Sequence, residues 1–241
     1  MSKLPHITII TAVYNGGAYL EDTIHSIIAQ PYSSLTYIII DGGSTDNTLE
    51  IIRQYPSHIS HWQSEPDRGV YDAMNKGWAM IDDDSFILFL GAGDKLVSLP
   101  NNMSAYQPTD VIYGQVLEGQ RIFQPKVDFR LKMTNTLHHQ ALLVPKRLHP
   151  APPFNLNYKI FADMDFNQRL LKQGATFVFD DTFKAEAPPG GLSDNVSTFF
   201  YFKECLTIVN KNFGLGWTLL ALPYYTYQRS GMRRAWDKLF K

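Results

Sequence analysis

Cysteine is almost missing from this chain. Cys205 stands alone among 241 residues, so an intramolecular disulfide cannot form and a cysteine-rich zinc site is excluded. A reducing compartment is the natural setting for such a sequence. Net charge is also nearly absent, at -1, which leaves no global field to draw in a polyanion, and nucleic acid is not an expected partner. Long hydrophobic runs are lacking. The apolar stretch between Phe213 and Gln228 contains Pro223 and falls short of the ~20 residues a spanning helix needs. The run from Ile7 to Val13 is too short for the core of a secretion signal and leads straight into folded-looking sequence, so a cytoplasmic location is expected. Neither a P-loop nor a dinucleotide fingerprint occurs.

What is present fits one large globular domain, or one domain with a small appendage. With 44% apolar and 19% charged residues, the chain is neither disordered nor fibrous. Ile7 to Val13 reads as a buried strand, Asn15-Gly16-Gly17 as a turn, and Leu20, Ile24, Ile27 and Ile28 as one face of a helix. The cycle repeats with a strand at Tyr37–Ile40, a turn at Asp41–Ser44 and a helix from Thr48 to Tyr55, for which Ser44, Thr45 and Asp46 are available caps. A third cycle joins Ile59–Gln63 to a helix from about Val70 to Ile81, and Phe86–Leu90 forms a fourth strand. Continuous apolar strands alternating with helices predict a mainly parallel sheet covered on both faces. Ligands of such sheets bind beyond the carboxyl ends of the strands, here after Val13, Ile40, Gln63 and Leu90.

After Leu96 the rhythm changes. Val111–Tyr113, Val116–Phe123 and Ala141–Val144 read as strands, and Asp163 to Gln173 as a helix closed by Gly174. Asp163 and Asp165, two apart at a helix start, point to different sides and cannot share one task. Either can cap the helix or meet its positive end. Arg169 suits an ion pair nearby. Asp41, ending a strand, can accept a hydrogen bond from a ring N–H or serve as a turn residue, and both readings stand at this stage. Two adjacent histidines, His138 and His139, do not make a metal site by themselves.

Five motifs, in order, carry a resemblance. They are Thr11-Ala-Val-Tyr-Asn15, Asp41-Gly-Gly-Ser-Thr-Asp46, Asp67-Arg-Gly-Val-Tyr-Asp-Ala-Met-Asn-Lys-Gly77, Phe89-Leu-Gly-Ala-Gly-Asp94 and Ala162-Asp-Met-Asp-Phe-Asn-Gln-Arg169. Together they resemble family 2 glycosyltransferases of bacterial polysaccharide biosynthesis, inverting enzymes with a Rossmann-like α/β fold called GT-A. The likeness covers roughly residues 5 to 195. It implies a GT-A domain over 1–195, with a nucleotide-sugar half to about residue 100 and an acceptor half from 101 to 195, followed by a helical C-terminal extension over 196–241.

The resemblance also implies roles. Thr11, Val13, Asn15, Asp41, Asp67, Arg68, Asp72 and Asn75 would face the donor nucleotide, with Arg68 reaching the base or diphosphate and Asp67 orienting it. Arg suits such a contact because its fork is flat and always charged. Asp94 would hold Mg2+ or Mn2+ with the diphosphate, although Gly93 stands where a second Asp is often found. Mg2+ commonly takes only one or two carboxylates and completes its shell with water and phosphate oxygens. Asp163 would be the base that takes a proton from the incoming hydroxyl. His139, Gln140 and Asp165 would lie on the acceptor side, and Pro188-Pro-Gly-Gly-Leu-Ser193 would form a loop closing over the donor. The donor would be a nucleotide sugar, UDP-linked by family habit, and the acceptor a glycan or lipid-linked sugar.

Two rival functions are weighed. A sugar nucleotidyltransferase needs a Gly-rich loop after the first strand, which Val13-Tyr-Asn-Gly-Gly17 is not. A silent sugar-nucleotide-binding scaffold gains from Gly93 but is opposed by Asp94 and Asp163 together. At the C-terminus, Trp217 to Tyr227 is followed by Arg229, Arg233, Arg234, Lys238 and Lys241, with Trp236, Leu239 and Phe240 between them. Such a stretch fits a helix at the inner face of an anionic membrane, or a helical pair packed on the domain or across a homodimer.

Overall fold

In the computed structural model, residues 4–81, 84–188 and 197–229 are described. The β-branched run at the N-terminus forms β1 (His6–Val13), which lies between two parallel neighbours and is buried on both sides. Its side chains alternate. Ile10 and Ala12 enter one core, while Ile9 and Val13 enter the other. Parallel strands need a crossover, supplied by α1 (Leu20–Ile28), which buries Leu20, Ile24 and Ile27 and carries Glu21 and Asp22 in its first turn. The same construction gives β2 (Leu35–Asp41), α2 (Thr48–Arg53), β3 (His61–Ser64), α3 (Val70–Ala79) and β4 (Ser85–Gly91).

The second half adds β5 (Lys95–Ser98), β6 (Asp110–Glu118), β7 (Arg121–Phe123), β8 (Leu142–Pro145), α4 (Ala162–Lys172) and β9 (Thr176–Ala187). The sheet runs β3-β2-β1-β4-β8-β6-β9-β5, with β7 paired to β6. Its first four strands are parallel, whereas β8 is antiparallel to both β4 and β6. The expected strand Val116–Phe123 divides, because Gly119, at φ 60°, turns β6 back into β7. Within β6, Gly114 admits the Phe183 carbonyl, which would stand 2.1 Å from any Cβ there.

Each sheet face has its own core. α1 and α2 cover one, and α3 and α4 cover the other together with α5 (Thr198–Phe213) and α6 (Leu215–Arg229). Gly174, at φ 78°, ends α4 and donates to the Leu171 carbonyl at 3.1 Å. The helical pair α5–α6 packs on the domain, placing Cys205, Ile208, Val209, Ala221 and Tyr225 in the same core as Phe154 and Phe166. The expected donor-closing loop from Pro188 to Ser193 and the cations after Arg229 lie outside the described residues, except for Pro188 itself.

Candidate functional site

The loops after β1 and β2 are sewn together. Asn15 takes a left-handed φ of 48°. Its amide oxygen accepts from Thr45 N at 2.8 Å, and its own N–H donates to the Ser44 hydroxyl at 2.7 Å. Gly17 donates to Asp46 at 3.0 Å and has no room for a Cβ, because Asn47 Oδ1 would lie 1.9 Å away. Ser44 and Thr45, expected as helix caps, are therefore partners of the neighbouring loop. Thr11 and Val13 are buried beneath it, with the Thr11 hydroxyl accepting from Tyr37 at 3.1 Å.

Asp41 is fully buried and organises its turn. Oδ2 accepts from Gly43 N (3.1 Å), Ser44 N (3.0 Å) and the Ser64 hydroxyl (2.6 Å), while Oδ1 is met by the Ser44 hydroxyl. Arg68 is largely exposed. The sequence placed Asp67 beside it, but the structure gives that position to Asp72, four residues on and one helical turn away. Asp72 accepts from Arg68 N at 3.0 Å and from its guanidinium at 3.2 Å. Burial alone would raise the Asp72 pKa, but the Arg68 bonds prevail and lower it. Asp67 instead accepts from Gly69 N at 2.8 Å. Asn75 clasps Phe154 through both backbone groups, at 2.8 and 3.0 Å.

Asp94 closes the turn after β4. Gly93, at φ 103°, is in a conformation that L side chains rarely adopt, so an Asp at this position would strain the present turn. Thr23 of α1 fixes the loop, accepting from Gly93 N at 2.9 Å and donating to the Asp94 carbonyl at 2.8 Å. The Asp94 carboxylate is buried, accepts from Gly91 N at 2.7 Å, and is approached by Gln140 Nε2 at 3.3 Å. Burial raises its pKa, with the nearby His139 opposing the shift.

Asp163 lies on the first turn of α4, where its Oδ1 accepts from Met164 N at 2.8 Å. Glu204 of α5 holds the chain just before the helix, its Oε1 accepting from Ile160 N at 3.2 Å and from Phe161 N at 3.5 Å. Asp163 Oδ2 accepts from Asn135 Nδ2 at 2.8 Å and stands 3.8 Å from His139 Nδ1. Its Oδ1 takes the Tyr71 hydroxyl at 3.2 Å, a bond that Tyr71 shares with the Ile160 carbonyl at 2.7 Å. Burial, with Asp163 beside it, holds the Tyr71 pKa well above the usual phenol range, so it remains a donor. For His139, burial works against the charged form, but Asp163 and Asp94 outweigh it and raise the pKa. His139 and Gln140 thus join the two acids into one polar cluster.

Asp165 is removed from the acceptor side expected of it. Fully buried, it pairs with Arg169 at 2.7 Å and accepts from Asn212 of α5 at 3.2 Å, tying two helices together. Two contributors to the cluster went unnoticed in the sequence. Tyr71 sits inside a recognised motif without any mark of its own, and Asn135 lies in a stretch with no pattern that points to Asp163.

With this geometry in hand, comparison with known proteins is decisive. The model of "Glycosyl transferase family 2" matches residues 8–94. A "PGL/p-HBAD biosynthesis glycosyltransferase" of Mycobacterium bovis is 32% identical over 256 residues, covering 98% of this chain and 92% of that protein. The chain belongs to glycosyl transferase family 2. It is accordingly a glycosyltransferase, and solved structures place its fold among the GT-A enzymes. S. aureus TarS 1-349, in complex with UDP-GlcNAc, superimposes with a TM-score of 0.69 at 15% identity, covering 94% of this chain and 74% of that one. In a longer TarS structure the glycosyltransferase described here spans 44% of the length. The mannosyltransferase PcManGT of Pyrobaculum calidifontis, in complex with GDP-Man and Mn2+, gives a TM-score of 0.64 at 16% identity, covering 94% of this chain and 70% of that one.

Proposed function

We propose that this glycosyltransferase moves a sugar from a nucleotide diphosphate donor, UDP-linked in the first instance, onto a hydroxyl of another sugar with inversion at the anomeric carbon. The observation that carries the reading is the placement of the Asp163 carboxylate, whose Oδ2 accepts from Asn135 at 2.8 Å and lies 3.8 Å from His139, in a cluster that reaches Asp94 through Gln140. A carboxylate fixed by Asn135 and Tyr71 beside a cluster linked to Asp94 has the chemistry of a general base. Taking the proton from the incoming hydroxyl makes that oxygen the nucleophile. Direct attack opposite the leaving diphosphate then inverts the centre.

At the leaving-group end the residues fit a divalent ion that arrives with the donor. Asp94 is a buried carboxylate whose ionised form burial disfavours, and Gln140, whose Nε2 faces it, has a buried Oε1 without a hydrogen-bond partner. Among the described residues no group of three acidic, histidine or cysteine side chains could hold a metal alone. One carboxylate and one amide oxygen suit Mg2+ or Mn2+ whose remaining ligands are phosphate oxygens and water. When bound, such an ion neutralises charge gathering on the departing diphosphate.

Donor recognition falls to the sewn loops. Asp41 Oδ1 accepts a base N–H once the half-buried Ser44 hydroxyl yields its place, and Arg68, pre-oriented by Asp72, turns its exposed fork to phosphate or base. The acceptor belongs to a cell-surface glycan or glycolipid, in keeping with the relative named for PGL/p-HBAD biosynthesis. A panel of nucleotide sugars with Mg2+ or Mn2+, read by thermal stabilisation and by release of nucleoside diphosphate, tests the proposal. It predicts one donor that does both and a product of opposite anomeric configuration by NMR. Retained configuration, or no donor binding across the panel, would overturn it.

A further inference from the structure

We propose that the outward face of α6 is a docking surface for an anionic lipid bilayer. Inward, the helix buries Ala221 and Tyr225 in the domain core. Outward, it presents Leu215, Leu219 and Leu222 along one stripe, 66, 62 and 43% exposed, with Leu220 beside them at 59%. A face left to water normally mixes charges among its apolar groups. From Leu215 to Gln228 the sequence contains no charged residue at all.

Cations begin immediately afterwards. Arg229, Arg233, Arg234, Lys238 and Lys241 follow against a single acid, Asp237, with Trp236, Leu239 and Phe240 interleaved. Beside the helix, Lys132 sits over the Trp217 ring at 4.7 Å and adds another positive charge. Apolar side chains flanked by cations match the boundary between acyl chains and anionic headgroups. A second copy of the chain matches it less well, because the outward residues of α6 include no carboxylate to meet the cations.

The inner side of α6 gives the surface a purpose. Tyr225 donates to the Met133 carbonyl, two residues from Asn135, whose amide holds Asp163. A bilayer against α6 therefore lies one packed layer from the acceptor-side carboxylate, where a lipid-borne acceptor would arrive. This last step rests on the transfer reading, whereas the docking surface does not.

The test is cosedimentation of the full chain with vesicles of phosphatidylcholine, alone or mixed with phosphatidylglycerol, beside the double variant Leu219→Glu/Leu222→Glu. Both sites are exposed, so the variant should keep its melting temperature. The native chain should pellet with the anionic vesicles, less so at high salt, and the variant should partition about tenfold more weakly or worse. A native chain that stays in the supernatant with anionic vesicles would overturn the proposal, as would a variant that pellets equally well. So would a concentration-dependent dimer in sedimentation velocity that the variant abolishes, since that result assigns the face to a second copy. Donor turnover measured without vesicles separates the two proposals, because its absence counts against sugar transfer alone.

Discussion

Asn135 Nδ2 donates to Asp163 Oδ2 at 2.8 Å, and the Asn135 amide oxygen is held in turn by Asn167 at 2.9 Å. The carboxylate is thus aimed by an amide that is itself aimed. Replacing Asn135 with Ala should lower kcat by roughly tenfold, the worth of one hydrogen bond to a charged group, with the donor KM little changed. Tyr71→Phe should act the same way and more weakly, since its hydroxyl is shared. A rise in donor KM at constant kcat would show instead that Asn135 serves donor binding.

The two acids of α4 should separate cleanly. Asp163→Asn keeps the shape of the cluster and removes the proton acceptor, so turnover should fall by roughly 10²–10⁴ with the melting temperature preserved. Asp165→Ala removes a fully buried carboxylate from the half-buried Arg169, which keeps its bond to the Pro153 carbonyl, so the cost should be about 3 kcal/mol, the low end for breaking a buried pair. Steady-state kinetics and denaturant unfolding of both variants make the comparison. An unstable Asp163→Asn protein beside an active, stable Asp165→Ala protein would reverse the assignment.

Asp94→Asn should abolish the additional thermal stabilisation that Mn2+ gives in the presence of nucleoside diphosphate, while leaving the melting temperature without ligand within a few degrees. Unaltered metal-dependent stabilisation would locate the ion elsewhere.

A pH effect follows from His149, which is buried among Trp78, Phe89 and Phe166. Burial lowers its pKa from 6.5 to about 3, and the charges of Lys146 and Arg169 act in the same direction. Between those values the unfolded chain binds a proton that the folded chain refuses. Stability is therefore full above the ordinary imidazole value and declines as pH falls, by about 1.4 kcal/mol per pH unit. His149→Phe should flatten that decline by one proton, as measured by urea unfolding at about pH 5 and pH 7. An unchanged slope would rule out His149 as the group responsible.

The parallel half of the sheet was legible because strands buried on both faces are continuous apolar runs punctuated by Gly, Asn and Asp. β9 was not. Asp180 and Asp181 interrupt its pattern, and only the structure shows why the strand survives. Asp180 accepts from Thr182 N at 2.7 Å and from Phe183 N at 3.2 Å, making a local turn across which the pairing with β6 shifts register. In the site, Asp94 and Asp163 could be named through motif order, and His139 and Gln140 through a His-Gln pair that the resemblance implies; the four form one connected cluster. The supports of Asp163 could not, because Asn135 and Tyr71 come from two separate segments that only the fold brings together. Arg68 marks an intermediate case. Its partner Asp72 lies at helical spacing four residues on, whereas the sequence alone favours the adjacent Asp67.

His139 and Gln140 leave one tight turn as consecutive residues and reach different carboxylates. The two carboxylates are consequently bridged by neighbouring residues of one short turn. Lengthening that turn by one residue should uncouple Gln140 from Asp94 or His139 from Asp163 while leaving both acids on their own elements.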